Sequence, residues 1–162
     1  MALFGSSRDI SLFRHMNREL LRDIITQEVG YYMLKIKESA TNIYGEAAEK
    51  YYDGPTLLQC LVTRQDQEWS VGDFGVDVSR NLKFAFLRDD LTDLQLVPKV
   101  GDIVLYLDNY FAVDSVIENQ LFVGKDPSYP YSQGLGEFGT SLSIICETHL
   151  IPADKVQISQ ER

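Results

Sequence analysis

Imidazoles, thiols and positive charge are all scarce in this sequence: two histidines, two cysteines, and 15 Lys plus Arg against 24 Asp plus Glu. Each scarcity excludes something. A net charge of −9 sets most of the surface against phosphate backbones, which disfavours sequence-reading nucleic-acid binders. Cys60 and Cys146 sit in apolar runs with neither C-x-x-C nor metal-ligand spacing, so they read as buried, reduced thiols. No run approaches the roughly 20 apolar residues that span a bilayer. The first residues lack the basic start and apolar stretch of a secretory signal, and the expected compartment is a reducing cytoplasm. What remains is an ordinary packed chain of 162 residues with 44% hydrophobic and 24% charged content, the size of one domain. A chain of this length buries roughly 70% of the surface it exposes when unfolded, enough for a core without disulfide or metal.

The charge is unevenly placed. Residues 1–50 carry seven basic and seven acidic side chains, so the whole excess falls in 51–162, with eight basic and seventeen acidic ones. Between Lys99 and Lys125 there is no basic residue, while Asp102, Asp108, Asp114 and Glu118 all fall there. Such a stretch either lines a surface that anions slide past or is a solvated face.

Hydrophobic periodicity predicts an α+β fold. After a flexible start at 1–9, Phe13, Met16, Leu20, Ile24, Val29, Tyr32, Met33 and Ile36 recur at three- and four-residue spacing, which predicts one amphipathic helix over 10–39. Ser11 or Asp9 would cap it and Gly30 would weaken its interior. Arg18 and Arg22, four residues apart, lie on its polar side. Beyond Gly45 the period shortens. Residues 56–63 read as a buried strand, and Leu82, Phe84 and Phe86 alternate with Lys83 and Ala85. A turn at Pro98-Lys99-Val100-Gly101-Asp102, another at Asp108-Asn109 and a third at Glu118-Asn119 predict a three-stranded meander, 103–107, 110–117 and 120–123. Further strands are expected at 141–148 and 156–158. The result is a small antiparallel barrel or sandwich of about five to seven strands over 55–158. Segments 64–79 and 125–140, rich in Gly, Pro, Ser and polar residues, read as two long loops. Their aromatics Trp69, Phe74, Tyr129, Tyr131 and Phe138 suit either interface anchors or lids over their own core.

The catalytic motifs fail on context. Gly134-Leu135-Gly136-Glu137-Phe138-Gly139 matches G-x-G-x-x-G, yet it follows no strand and opens no helix. Asp73-Phe74-Gly75 copies a kinase tripeptide without the rest of the kinase set. Cys146 and His149 are three positions apart on a predicted strand and therefore point to opposite faces. Asp89, Asp90 and Asp93 lack the spacing and turn glycine of a calcium loop. Gly124-Lys125 lacks the first glycine of a phosphate loop. Catalytic residue, cofactor and metal are all expected to be none.

Several stretches in order carry a resemblance. They are Gly75-Val76-Asp77-Val78-Ser79, then Phe84-Ala85-Phe86-Leu87-Arg88-Asp89-Asp90-Leu91, then Pro98-Lys99-Val100-Gly101-Asp102-Ile103. Tyr110-Phe111-Ala112-Val113-Asp114-Ser115-Val116, Glu118-Asn119-Gln120-Leu121-Phe122-Val123-Gly124-Lys125 and Ser143-Ile144-Ile145-Cys146-Glu147-Thr148-His149-Leu150 complete the set. Over roughly residues 30–155 the chain resembles the neck proteins of contractile-tailed bacteriophages, the head-closure or head-to-tail connector family. The resemblance implies a non-enzymatic virion protein, assembled in the host cytoplasm. It would form a ring of six copies between a portal or adaptor above and a tail terminator or tail tube below. Double-stranded DNA would pass through the ring without sequence-specific binding, and no membrane would be involved. Under it, the candidate channel or subunit-contact residues are Trp69, Asp73, Phe74, Asp77, Tyr129, Tyr131, Glu137 and Phe138. The alternatives are a tail terminator or a non-viral small-barrel binding module.

Overall fold

A computed structural model of the chain describes residues 7–35, 50–64, 68–72, 75–118, 120–123, 140–153 and 156. Helix α1 (Ser7–Glu19) runs on without a break into a π-helical segment, Leu20–Ile25. Ten strands and a short helix follow: β1 (Glu28–Leu34), β2 (Tyr52–Arg64), β3 (Glu68–Gly72), β4 (Gly75–Ser79), β5 (Asn81–Leu87), α2 (Arg88–Asp93), β6 (Ile103–Tyr106), β7 (Asn109–Ile117), β8 (Leu121–Val123), β9 (Thr140–Ser141) and β10 (Ser143–Ile151). Six of them close into an antiparallel barrel in the order β1-β2-β5-β10-β7-β6. Closure leaves that sheet with no open edge, so none of its ladders is a template for strand addition.

The barrel core follows from strand alternation. Leu82, Phe84 and Phe86 on β5 point inward between half-buried Lys83 and Ala85, as their spacing predicts. Ile144, Cys146 and Thr148 do the same on β10, and Leu58 and Cys60 on β2. Phe84 sits at the centre, with edge contacts to Tyr106 and Phe111 at ring separations of 5.9 and 5.8 Å. The hairpin between β6 and β7 turns on Leu107 and Asp108, both at positive φ, the left-handed pair that two-residue hairpin loops demand.

One carboxylate locks the wall. Asp102, 2% exposed, accepts hydrogen bonds from Tyr31 Oη at 2.6 Å, Leu34 N–H at 2.8 Å and Lys99 N–H at 2.8 Å. Burial and this bond together hold the Tyr31 phenol far above its ordinary range, so it stays a donor. Gly101 makes the approach possible: its φ of 92° belongs to glycine, and its N–H reaches Val113 O at 2.9 Å. The Pro98–Asp102 turn thus fastens β1 to the β6–β7 hairpin rather than serving as a simple connector.

The structure corrects the sequence reading in five places. The helix expected over 10–39 ends at Ile25, and residues 28–34, including Gly30, form barrel strand β1. The helix stops where Ile24-Ile25-Thr26 stack β-branched side chains, and Thr26 turns left-handed with φ 48°. Strand β1 mimicked a helix because it is buried on both faces. Val29 and Tyr31 face the barrel interior, whereas Tyr32 packs outside with Ile103, Tyr110 and Val156. Apolar residues therefore lie at every spacing, the helical one included. The helix also begins earlier than expected, at Ser7, so Ser11 is inside it, donating to Arg8 O at 2.8 Å.

The expected loop 64–79 contains the hairpin β3–β4, in register Glu68↔Ser79 to Gly72↔Gly75. The expected meander keeps two strands only: β8 leaves the barrel and pairs with β9. Residues 124–139, most of the second expected loop, lie outside the described residues. Of the strand expected at 156–158, Val156 is described and is not in a strand.

Candidate functional site

The barrel interior is filled, and a surface that combines an arginine row with exposed apolar side chains lies where the N-terminal helix meets it. Three arginines at four-residue spacing, Arg14, Arg18 and Arg22, form one row on the helix and meet the carboxylates of α2. Asp90 takes Arg18 at 3.0 Å and Arg22 at 2.8 Å, Asp93 takes Arg18 at 3.0 Å, and Asp89 lies 3.9 Å from Arg14. Burial alone would lower the Arg18 guanidinium, but Asp90 and Asp93 outweigh it and hold the group above its ordinary value. The acidic group set aside as a poor cation site is the docking plate for the helix. Its signal in the sequence was the arginine row, whose partners lie about 70 residues away.

This clamp fixes which helix face looks outward. Ile10 and Leu21 are buried. Leu12, Met16, Leu20 and Ile24, also four residues apart, are 55%, 55%, 43% and 73% exposed. The apolar arc of the helix is thus wider than its contact with its own barrel. A leucine or isoleucine left in water forgoes about 1.5–3 kcal/mol relative to burial, so four in one row is a costly surface for a chain that stands alone.

Next to the row runs an apolar groove of about 710 Å³. The second half of the helix walls it with Leu20, Leu21 and Ile25; Leu61 of β2, Phe86 of β5 and Leu121 of β8 face them. Its polar lining is Asn17, Gln120 and Ser143, and no charged side chain among the described residues lines it. An apolar guest entering it would strip water from no ion of this described lining, a condition for cheap association.

Two of the eight candidates expected from sequence are among the described residues. Trp69 and Asp77 sit on the hairpin, opposite Val78 and Ser70 respectively. Asp73, Phe74, Tyr129, Tyr131, Glu137 and Phe138 lie outside the described residues. The described structure therefore places two of the eight, both on this hairpin. Of the carboxylates in the base-free stretch, Asp102 is the internal anchor, Asp114 meets His149 Nδ1 at 2.7 Å, and Glu118 lies 3.9 Å from Arg88. Asp108, in the β6–β7 turn, is exposed like Asp114 and Glu118. That stretch is therefore not one uniformly acidic wall. Cys146 points into the core while His149 is exposed on the outer face, so the two do not meet. Burial pushes the Cys60 and Cys146 thiols up to about 12, where they are poor nucleophiles at neutral pH.

Among the described residues no group of histidine, cysteine and carboxylate side chains is arranged to hold a metal ion. No helix among them is long and apolar enough to cross a membrane. In comparisons with known proteins, no family model matches the chain and no curated protein sequence matches it significantly.

Proposed function

We propose that this protein is a structural component of the neck of a contractile-tailed bacteriophage, a ring-forming subunit that closes the DNA-filled head and joins it to the tail. The single observation that carries this reading is the helix face. A closed barrel with its interior filled still holds outside itself a helix whose apolar row stays in water beside a groove with no charge in its described lining. That is the surface of a subunit whose burial is completed by neighbours. The ordered resemblance over residues 30–155 supplies the assembly. The role is non-enzymatic, with portal or adaptor on one side, tail terminator or tail tube on the other, and the genome passing through the middle.

The net charge of −9 supports passage, since a surface poor in cations forms few of the phosphate contacts that would retard DNA at each step. The experiment is to add the purified protein to DNA-filled heads that lack it and examine them by electron microscopy. Decoration of the portal vertex and recovery of tail attachment support the reading. Decoration of finished tails instead would make the protein a tail terminator, and a protein that ignores both would end the viral reading.

A further inference from the structure

We propose that the barrel end bearing the β6–β7 hairpin binds a carboxylate carried on an apolar body the size of one aromatic side chain, held by Arg64 and Arg80. The carrier is a free acid or the last residue of a polypeptide, which share this chemistry. The pocket has no lining residue in common with the helix-side groove, so its fate does not decide the ring reading.

Strand alternation puts the two arginines there. On β2 the inward column is Leu58, Cys60 and Val62, and Arg64 is its next member. On β5 the inward column is Leu82, Phe84 and Phe86, and Arg80 precedes Leu82 by two positions. The strands pair antiparallel with Arg64 opposite Leu82, so both columns run out at the same end of the barrel. There the two columns change from apolar side chains to guanidinium groups, and both arginines line one pocket of about 270 Å³. The hairpin closes its far side, since β6 ends and β7 begins at this end with Tyr106 opposite Asn109.

The lining sets what fits. Buried Leu82 and Phe111 give the pocket an apolar floor, beside Tyr106, whose ring lies 5.9 Å from that of Phe84. Among the described residues no carboxylate lines it, so it is a locally positive spot on a chain of net charge −9. Arg64 and Arg80 are exposed and thus within reach of a solute. Arg80 has a further contact within the chain, yet a guanidinium presents five N–H donors in a planar fork, which leaves donors for the two oxygens of a carboxylate. A bare inorganic anion would meet the arginines and gain nothing from the floor, and a neutral apolar solute would gain from the floor alone. The volume lies just under the range of about 300–1,000 Å³ that drug-sized ligands occupy, which limits the apolar body to one ring or branched chain.

The test titrates the full chain with 3-phenylpropionate, 3-phenylpropanamide and inorganic phosphate, followed by backbone amide shifts in NMR. The amide keeps the ring without the charge, and phosphate keeps a charge without the ring. The acid is expected to move the signals of Tyr106, Leu107 and Asn109, and the amide and phosphate to bind roughly tenfold more weakly. Arg64→Gln should weaken the acid by roughly fivefold or more and leave the amide unchanged. Should that variant fail to fold, the comparison of acid with amide on the wild type still decides. N-acetylglycylphenylalanine separates the two carriers: binding tighter than that of 3-phenylpropionate assigns the pocket to a chain end, and binding no tighter assigns it to a free acid. Acid and amide binding equally well overturn the site, as does phosphate binding as tightly as the acid. An acid that moves none of the three signals overturns it as well.

Discussion

The barrel and the helix solve the same problem in opposite ways. In the barrel nearly every large apolar side chain on the inner face of a strand is buried, Phe84, Phe86 and Phe111 almost completely. Even the carboxylate of Asp102 is enclosed with three donors. On the helix two apolar residues, Ile10 and Leu21, are buried, while the row Leu12, Met16, Leu20 and Ile24 is left in water. The buried core is therefore carried by the barrel interior and the proposed contact surface by the helix row. Substitutions in the barrel interior are expected to report on stability and substitutions along the row on assembly.

The largest effects break the barrel side of this comparison. Phe84→Ala should cost about 3–5 kcal/mol, since it removes a fully buried ring that touches Phe86, Tyr106 and Phe111. Asp102→Ala should cost a similar amount, about 3 kcal/mol, by orphaning the Tyr31 hydroxyl and two backbone N–H groups. Urea denaturation reads both, and a loss below about 1 kcal/mol in either would mean that the barrel is not the stable unit. A middle-sized effect loosens the join. Asp90→Ala removes the carboxylate shared by Arg18 and Arg22 and should cost about 1 kcal/mol, a value kept small because both guanidinium groups are partly in solvent. Amide hydrogen exchange should accelerate over residues 7–25 and stay unchanged in β5 and β10.

Smaller still is the expected effect of Met16→Glu on folding, within about 0.5 kcal/mol by thermal or urea melting, while the proposed ring assembly should be weakened. A large loss of stability there would place the row in the core. The smallest effects concern protons. Hydrogen bonds from Lys83 and Ser115 hold the Glu147 carboxyl below its ordinary value. A group lowered in the folded state stabilises the protein above its unfolded pKa and loses that contribution as pH falls through the folded one. Acid unfolding of Glu147→Gln should accordingly lack a small acid-dependent component that wild type shows below the ordinary carboxylate range. Both thiols, pushed up to about 12 by burial, should escape a thiol reagent at pH 8 until the protein is unfolded, when two react.

Much of the barrel was legible because half-buried strands write a period of two. Leu82, Phe84 and Phe86 gave β5 at once, and the turns around Gly101 and Asp108 gave the start of β6 and the hairpin with β7. Strand β1 was hidden because a strand covered on both sides writes no period, and Tyr31 and Tyr32 are buried in opposite directions. The hairpin β3–β4 was hidden by polar composition, since Glu68, Ser70 and Asp77 resemble loop residues. The helix face was half legible. Leu12 did not enter the predicted apolar spacing, and periodicity marks apolar positions without saying which of them the chain covers itself. That depends on the Arg14, Arg18 and Arg22 row finding Asp89, Asp90 and Asp93, a pairing set by the fold rather than by local spacing.

The most direct test of this division is the solution mass of the wild-type chain over a wide concentration range. A subunit whose helix face is completed by its neighbours should sediment at several times 18.4 kDa and return to that mass on dilution. A folded protein that stays at 18.4 kDa at every concentration would contradict it.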